Sequence, residues 1–314
     1  MALLFYSATD TDGTFEVQFR AAIKTSLPTL EVRTWPEIGN ASEIRYAALW
    51  LPPKGLFKPL INLTHIFALS AGVDRLLMAD DLPKGVPIFR LEDGGMSTPM
   101  SEYVLMGVLQ AQRQMPLLAD AQANKRWQRD APETAACDWH VGILGAGVLA
   151  SAVASRLVQN GYRVSTWSRT QKNLPRVQSF AGPDQLQTFC STLNTLVCLL
   201  PLTAETQGLL NTRVFNQLPK GASLINAARG EHCVDEDLIA ALDSGQVSSA
   251  LLDVFHEEPL PESHPFWSHP KVQITPHIAA PTAGDVAAKQ IAQGVTDAHA
   301  GRQPGGLVDR KTGY

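Results

Sequence analysis

The 314-residue sequence lacks the marks of several large protein classes. Its four cysteines, Cys137, Cys190, Cys198 and Cys233, are scattered without a CxxC pair. That argues against a disulfide framework or a structural zinc site as the basis of the fold. Neither sign of charge dominates, with 26 Lys and Arg against 30 Asp and Glu and a formal charge of −4. No general attraction to nucleic acid or to acidic membranes is expected. No apolar run reaches the roughly 18 residues of a spanning helix, and the opening MALLFYSATDTDG has neither the basic stretch nor the apolar core of a secretory signal. HExxH and His/Cys clusters are missing, so no catalytic metal is expected. At 18% charged and 45% hydrophobic residues, the chain is too apolar to be disordered. The expectation is a cytoplasmic globular protein whose length suits two domains.

The first hundred residues alternate short apolar runs with polar helical stretches. Strands are expected at Ala2–Ala8, Leu30–Arg33, Tyr46–Leu51, His65–Gly72 and Val86–Arg90, and a helix at Phe15–Ser26. That alternation predicts a parallel α/β sheet. Thr98–Arg113 is apolar at three- and four-residue intervals and reads as a long helix, followed by a more polar one over Met115–Arg129 and a loop over Asp130–Asp138. From Trp139 a regular βαβ rhythm begins, with strands expected at His140–Leu144, Arg163–Trp167, Thr195–Leu199, Ser223–Asn226, Ser248–Leu252 and Val272–Ile274. Six such strands suffice for one doubly wound sheet. A helical run over Pro281–Ala300 and a Gly/Pro-containing tail close the chain.

The sharpest local pattern is HVGILGAGVLASAVASRL, His140–Leu157. An apolar strand runs into Gly145-Ala146-Gly147, then into a helix opening with Val148 and Leu149. Gly145 permits the tight turn, Gly147 removes the side chain that would keep a pyrophosphate from the backbone, and Ala150 keeps helix and strand close. The N–H groups at that helix start would hold the phosphates. A GxGxxA string alone can be a mere tight turn; a strand before it and a helix and second strand after it point to dinucleotide binding. The second strand ends in Trp167-Ser168-Arg169-Thr170, with Lys172 nearby and no acid. A carboxylate there would repel a 2′-phosphate, whereas Ser168 can hydrogen-bond it and Arg169 can pair with it. NADPH is therefore expected over NADH, unless Arg169 and Lys172 are ordinary solvated charges.

Three groups fall where later strands end: Arg229 after SLIN, Asp253 and Glu258 after SSALL, and His277 after VQI. In an open α/β sheet the ligand crevice lies beyond the carboxyl ends of the strands. Moving hydride onto a ketone requires a proton donor for the developing alkoxide. His277 suits this, since a neighbouring carboxylate such as Glu258 can favour its protonated form. Arg229 can clamp a carboxylate and the adjacent carbonyl. A lone His would more often be packing or surface; its company at the strand ends decides otherwise. His65, His140, His256, His264 and His269 have no comparable task.

These stretches, with LPLTAETQGLLN (Leu200–Asn211), LPKGASLINAARG (Leu218–Gly230), LLDVFHEEPLP (Leu251–Pro261), ITPHIAA (Ile274–Ala280), FALSAGVD (Phe67–Asp74), MSEYVL (Met100–Leu105) and the final LVDRKTGY, resemble the D-isomer-specific 2-hydroxyacid dehydrogenases over nearly the whole chain and in the right order. The resemblance implies two Rossmann-like or flavodoxin-like α/β domains with parallel sheets and an active site in the cleft between them. Residues 1–98 plus 285–314 would form the substrate-binding lid domain and 99–284 the dinucleotide-binding domain. It implies Arg229, Glu258 and His277 as the catalytic trio, and Asp253 at the nicotinamide end of the cofactor. Gly145, Ala146, Gly147, Val148, Leu149, Ser168, Arg169, Lys172, Pro201, Ala227 and Ala228 would make the remaining cofactor contacts. Trp50, Ala71, Gly72 and Val73 would meet the substrate together with Arg229 and His277, although Trp50 could equally be core packing. Ser168 stands where the family usually has Asp, in agreement with NADPH. A homodimer through the cofactor domain and the helix near Thr98–Trp127 is also implied. The expected reaction is reduction of short 2-keto acids, glyoxylate to glycolate and hydroxypyruvate to D-glycerate. The alternatives are a bulkier 2-keto acid such as phenylpyruvate, or a dinucleotide-sensing, corepressor-like protein without turnover.

Overall fold

Strands buried on both faces read as near-continuous apolar runs, and ALLFYS (Ala2–Ser7) and HVGIL (His140–Leu144) follow that rule closely. The computed structural model describes residues 1–130 and 133–313. Residues 131 and 132 of the loop expected over 130–138, and the terminal Tyr314, lie outside the described residues. In chain order the elements are β1 (Ala2–Ser7), α1 (Thr14–Ser26), β2 (Glu31–Thr34), β3 (Ile44–Trp50), β4 (His65–Ala68), α2 (Asp74–Leu77), β5 (Ile88–Phe89), α3 (Ser97–Gln112), α4 (Met115–Ala123), β6 (His140–Leu144), α5 (Val148–Gln159), β7 (Arg163–Ser168), β8 (Gln178–Ala181), α6 (Leu186–Cys190), β9 (Thr195–Cys198), α7 (Thr212–Phe215), β10 (Ala222–Asn226), α8 (Asp235–Asp243), β11 (Val247–Leu252), β12 (Val272–Ile274) and α9 (Gly284–His299).

The chain divides into two units, Met1–Met96 with Thr282–Tyr314, and Ser97–Pro281. The divisions expected at 98/99 and 284/285 each shift toward the N-terminus. Ser97 already opens α3, and Thr282 already donates to Leu69 O at 3.0 Å within the first unit.

Among the described residues the first unit holds a five-stranded parallel sheet in the order β2-β1-β3-β4-β5, the flavodoxin-like arrangement. Its core gathers Leu4, Ile44, Leu49, Leu56, Ile66 and Ile88. The apolar run expected to reach Gly72 stops as a strand at Ala68, because Ser70 Oγ donates to Gly72 O at 2.6 Å and closes a turn.

The second unit holds a seven-stranded parallel sheet, β12-β11-β10-β9-β6-β7-β8. Counted from β6, this is the doubly wound 3-2-1-4-5-6 order with one further strand beyond β11. Side chains alternate across it. Val141, Ile143, Val197 and Ile225 join the cluster containing α3 and α5 residues, whereas Leu144, Leu196, Cys198 and Leu224 join the one containing α6, α7 and α8 residues. Strand β8 was not anticipated. QSFA is short, mixed in polarity and pairs only with β7, so it carries none of the apolar signal of a central strand. Helix α4 ends at Ala123, short of the expected Arg129, where the chain reaches a left-handed Lys125 at φ 54°.

Helix α3 lies close against the sheet at Gly107. A Cβ there would come within 2.7 Å of both Ile225 Cδ1 and Leu251 Cδ2. Replacing Gly107 by Val should overfill this contact and destabilise the protein by about 1–3 kcal/mol. A urea titration should show the lowered midpoint; an unchanged midpoint would mean that the helix can move without loss.

Candidate active site

All strands of the second sheet are parallel, so the loops leaving β6, β9, β10, β11 and β12 emerge at one edge. The strand order reverses between β6 and β9, and ligands of such sheets bind at that switch point.

The loop after β6 is shaped by its glycines. Gly145 has φ 121°, and its N–H bonds to Trp167 O at 2.8 Å. A Cβ there would come within 2.9 Å of Leu199 O, so both conformation and space require glycine. Gly147 caps α5, and a Cβ built on it would meet no atom within 4 Å. The backbone at the start of this twelve-residue helix is thus open, with Val148 exposed and Ala150 buried against the core. Those features fit a dinucleotide pyrophosphate, which needs close backbone approach and free helix N–H groups.

At the end of β7, Ser168 is half-buried, and Arg169 and Lys172 are exposed. Ser168 Oγ donates to Thr170 O at 2.8 Å. After β9, Pro201 is exposed and accepts from Thr206 Oγ1 at 2.7 Å. Ala227 and Ala228 are buried in the turn after β10, where Asn226 organises the backbone. Its Oδ1 accepts from Ala228 N at 3.2 Å, and its Nδ2 donates to Arg229 O at 2.9 Å.

The trio expected from the sequence converges. His277 Nδ1 lies 2.8 Å from Glu258 Oε2, and Glu258 Oε1 accepts from Phe255 N at 2.9 Å. Burial pulls the Glu258 pKa upward. The hydrogen bonds from His277 and from the Phe255 N–H, with the charges of His277 and Arg229, outweigh it and hold the carboxyl below its usual 4.5. Glu258 therefore stays ionised at neutral pH. Its pairing stabilises the fold above about pH 4.5, and that contribution is lost as the pH falls through the depressed value.

His277 sits in the left-handed region at φ 55°, a conformation that a non-glycine residue keeps only when its surroundings demand it. Here they do. His277 N donates to Asp253 O at 2.8 Å. Asp253, 1% exposed, takes Thr275 Oγ1 at 2.6 Å and Ile278 N at 2.9 Å on Oδ1, and Ala279 N at 2.8 Å on Oδ2. Since Thr275 gives its proton to Asp253, Tyr103 on α3 is the donor in the 2.7 Å contact between the two hydroxyls. Burial, offset in part by the Thr275 contact and reinforced by the Asp253 charge, raises the Tyr103 pKa, so the phenol keeps that proton. Asp253 was expected to contact the nicotinamide end of the cofactor; its carboxylate is engaged with loop 275–279. Sequence reasoning missed Tyr103, Thr275, Asn226 and the buried His232. Tyr103 falls within MSEYVL (Met100–Leu105), but 172 residues separate it from its partner.

In the first unit, Trp50 ends β3 and is half-buried, followed by Leu51 at φ 48°. Ala71, Gly72 and Val73 form the turn after the neighbouring β4, with Val73 buried. Both segments leave the carboxyl ends of adjacent parallel strands.

The family model for the D-isomer specific 2-hydroxyacid dehydrogenase NAD-binding domain matches residues 105–279. A glyoxylate/hydroxypyruvate reductase A of Yersinia enterocolitica is 45% identical over 302 residues, covering 95% of this chain and 96% of the relative. The chain belongs to the D-isomer-specific 2-hydroxyacid dehydrogenases. Among solved structures, the family member from Xanthobacter autotrophicus in complex with NADPH and MES superposes with TM-score 0.94 at 40% identity, covering 100% of this chain and 99% of that one. The NADPH-dependent glyoxylate/hydroxypyruvate reductase of Sinorhizobium meliloti, in complex with NADP and sulfate, gives 0.92 at 32%, with the same coverage. As a D-2-hydroxyacid dehydrogenase the protein is an NAD(P)H-dependent oxidoreductase of small 2-hydroxy or 2-keto acids.

Removing the Asp253 carboxylate should release the loop of this dehydrogenase. In Asp253→Ala, the amides of Ile278 and Ala279 should exchange hydrogen at least about tenfold faster, the scale of one lost buried hydrogen bond. Hydrogen-exchange mass spectrometry over 275–279 measures this; unchanged protection would show that the loop holds itself.

Proposed function

We propose that the protein reduces short 2-keto acids, glyoxylate to glycolate and hydroxypyruvate to D-glycerate, and prefers NADPH to NADH. The observation that carries this reading is the Glu258–His277 pair, joined electrostatically by Arg229, at the sheet edge that also bears the glycine loop. The names of the Yersinia and Sinorhizobium relatives support the choice of acid. Gly145 to Leu149 would hold the pyrophosphate, while Ala227, Ala228 and Pro201 would line the cofactor. Asp253 would act at the nicotinamide end chiefly by fixing the neighbouring loop. NADPH, when bound, supplies the hydride.

The remaining chemistry belongs to the chain. Glu258 faces Nδ1 of His277, so that nitrogen donates to the carboxylate and Nε2 is left to carry the transferable proton. As the carbonyl carbon gains hydride, Nε2 gives its proton to the carbonyl oxygen, and the ionised Glu258 stabilises the imidazole throughout. Arg229 clamps the substrate carboxylate and fixes the carbonyl's orientation. The turn at Ala71–Val73 and the indole of Trp50 are the substrate contacts proposed from the first unit.

Cofactor choice is assigned to Ser168, Arg169 and Lys172, because a 2′-phosphate at the end of β7 would find two cations and a hydroxyl and no carboxylate of β7. The proposal extends to a homodimer. Met106, Leu109, Met115 and Leu117 expose apolar side chains on α3 and α4, and Trp127 does so just beyond, a cluster that association would cover. A cytoplasmic setting would supply the nicotinamide pool.

His277→Ala should leave NADPH binding nearly intact and lower turnover by about 10²–10⁴-fold; unchanged kcat would refute the proton-donor role. Arg169→Ala should raise KM for NADPH far more than for NADH, and equal changes would remove Arg169 from the phosphate site. A steady-state panel of glyoxylate, hydroxypyruvate, pyruvate, 2-ketobutyrate and phenylpyruvate with each cofactor tests the whole reading. A kcat/KM highest on phenylpyruvate would replace it with the bulkier substrate.

A further inference from the structure

His232 is fully buried and has no place in the reaction scheme above. Its ring lies between two loops of the site, with Nδ1 3.2 Å from Arg229 O and Nε2 3.3 Å from Pro201 O. Burial, the largest influence, holds its pKa below the usual 6.5, so the ring is neutral and carries one N–H. Two carbonyls compete for that proton. Arg229 O already accepts from Asn226 Nδ2 at 2.9 Å and from the His232 backbone N–H at 3.3 Å, filling its two lone pairs. Pro201 O accepts from Thr206 Oγ1 and has a lone pair left. The proton belongs on Nε2.

We propose that His232 is a positioning residue: its Nε2–H, bonded to the Pro201 carbonyl, locks the loop after β9 to the loop that carries Arg229. The lock continues inward. Gly230 packs so closely on the Phe255–His256 backbone that a Cβ would come within 2.0 Å of Phe255 C, and Phe255 N holds Glu258. Backbone bonds already join these loops further along, Gly208 N to Glu231 O and Leu210 N to His232 O, each at 2.8 Å; the imidazole adds the side-chain bond that ties the Pro201 end of the proposed cofactor loop to the block that bears Arg229 and Glu258. The inference rests on the reductase reading for the tasks of those loops.

Three variants of the full chain separate donor chemistry from packing. Gln places an amide nitrogen near the Nε2 position, Met has similar length and no donor, and Asn places its nitrogen near Nδ1. The dissociation constant for NADPH, read from cofactor fluorescence without keto acid, is measured beside KM and kcat for glyoxylate and the thermal midpoint. His232→Gln should stay within about twofold of wild type. His232→Met and His232→Asn should weaken NADPH binding and lower kcat/KM by about tenfold, the scale of one lost buried hydrogen bond. Met or Asn variants matching Gln in NADPH binding would overturn the proposal, as would a Gln variant as impaired as Met. Wild-type protein that binds NADPH but turns over no keto acid would sink the reductase reading, while the binding comparison would still decide the role of His232.

Discussion

At the carboxyl end of β11 a buried carboxylate accepts three hydrogen bonds from one short loop, and the loop carries His277 in a left-handed conformation. Such a backbone is unfavourable for a residue with a Cβ and persists only under constraint. Asp253 supplies the constraint through Thr275, Ile278 and Ala279, and Tyr103 extends it to α3. The imidazole consequently meets Glu258 with its Nδ1 edge, which leaves Nε2 outside that pair. A freer loop would let the ring sample many directions, and an acid–base group works only within hydrogen-bond reach of its proton's destination.

The same economy of contacts recurs at the other loops of this edge. Asn226, at the end of β10, fixes the Arg229 backbone through both ends of its amide. Gly230 allows the following turn to lie against Phe255, whose N–H orients Glu258. Glu258 is ionised because its hydrogen bonds from His277 and the Phe255 N–H, with the charge of Arg229 nearby, outweigh its partial burial. The Arg229 backbone and the Glu258 carboxylate are therefore held by backbone and amide hydrogen bonds, as the His277 loop is held by the buried Asp253 carboxylate; fixed dipoles of this kind limit reorganisation when charge develops in a reaction.

At the switch point two glycines do different work. Gly145 is forced by its φ and by Leu199 O, whereas Gly147 is sterically unforced and leaves space beside the start of α5. Space without a structural need is what an approaching phosphate requires. The end of β7 carries the half-buried Ser168 and the exposed Arg169.

The sequence by itself determined the strands of the central sheet, the glycine loop and the three charged or titratable groups beyond the strand ends, because each leaves a local signal: an apolar run, a fixed spacing, a charged group after a strand. His140–Leu144 and Val272–Ile274 were legible to the residue. Edge strand β8 was not, since a strand paired on one side needs little apolar character. Nor were the parts played by Tyr103, Asn226 and His232, or the engagement of Asp253 with loop 275–279. These are hydrogen bonds whose partners stand on different strands and helices, and a polar residue in sequence carries no mark of the partner that folding will bring to it. Only the tertiary structure decided them, by setting parallel strand ends side by side and burying the polar atoms that join them.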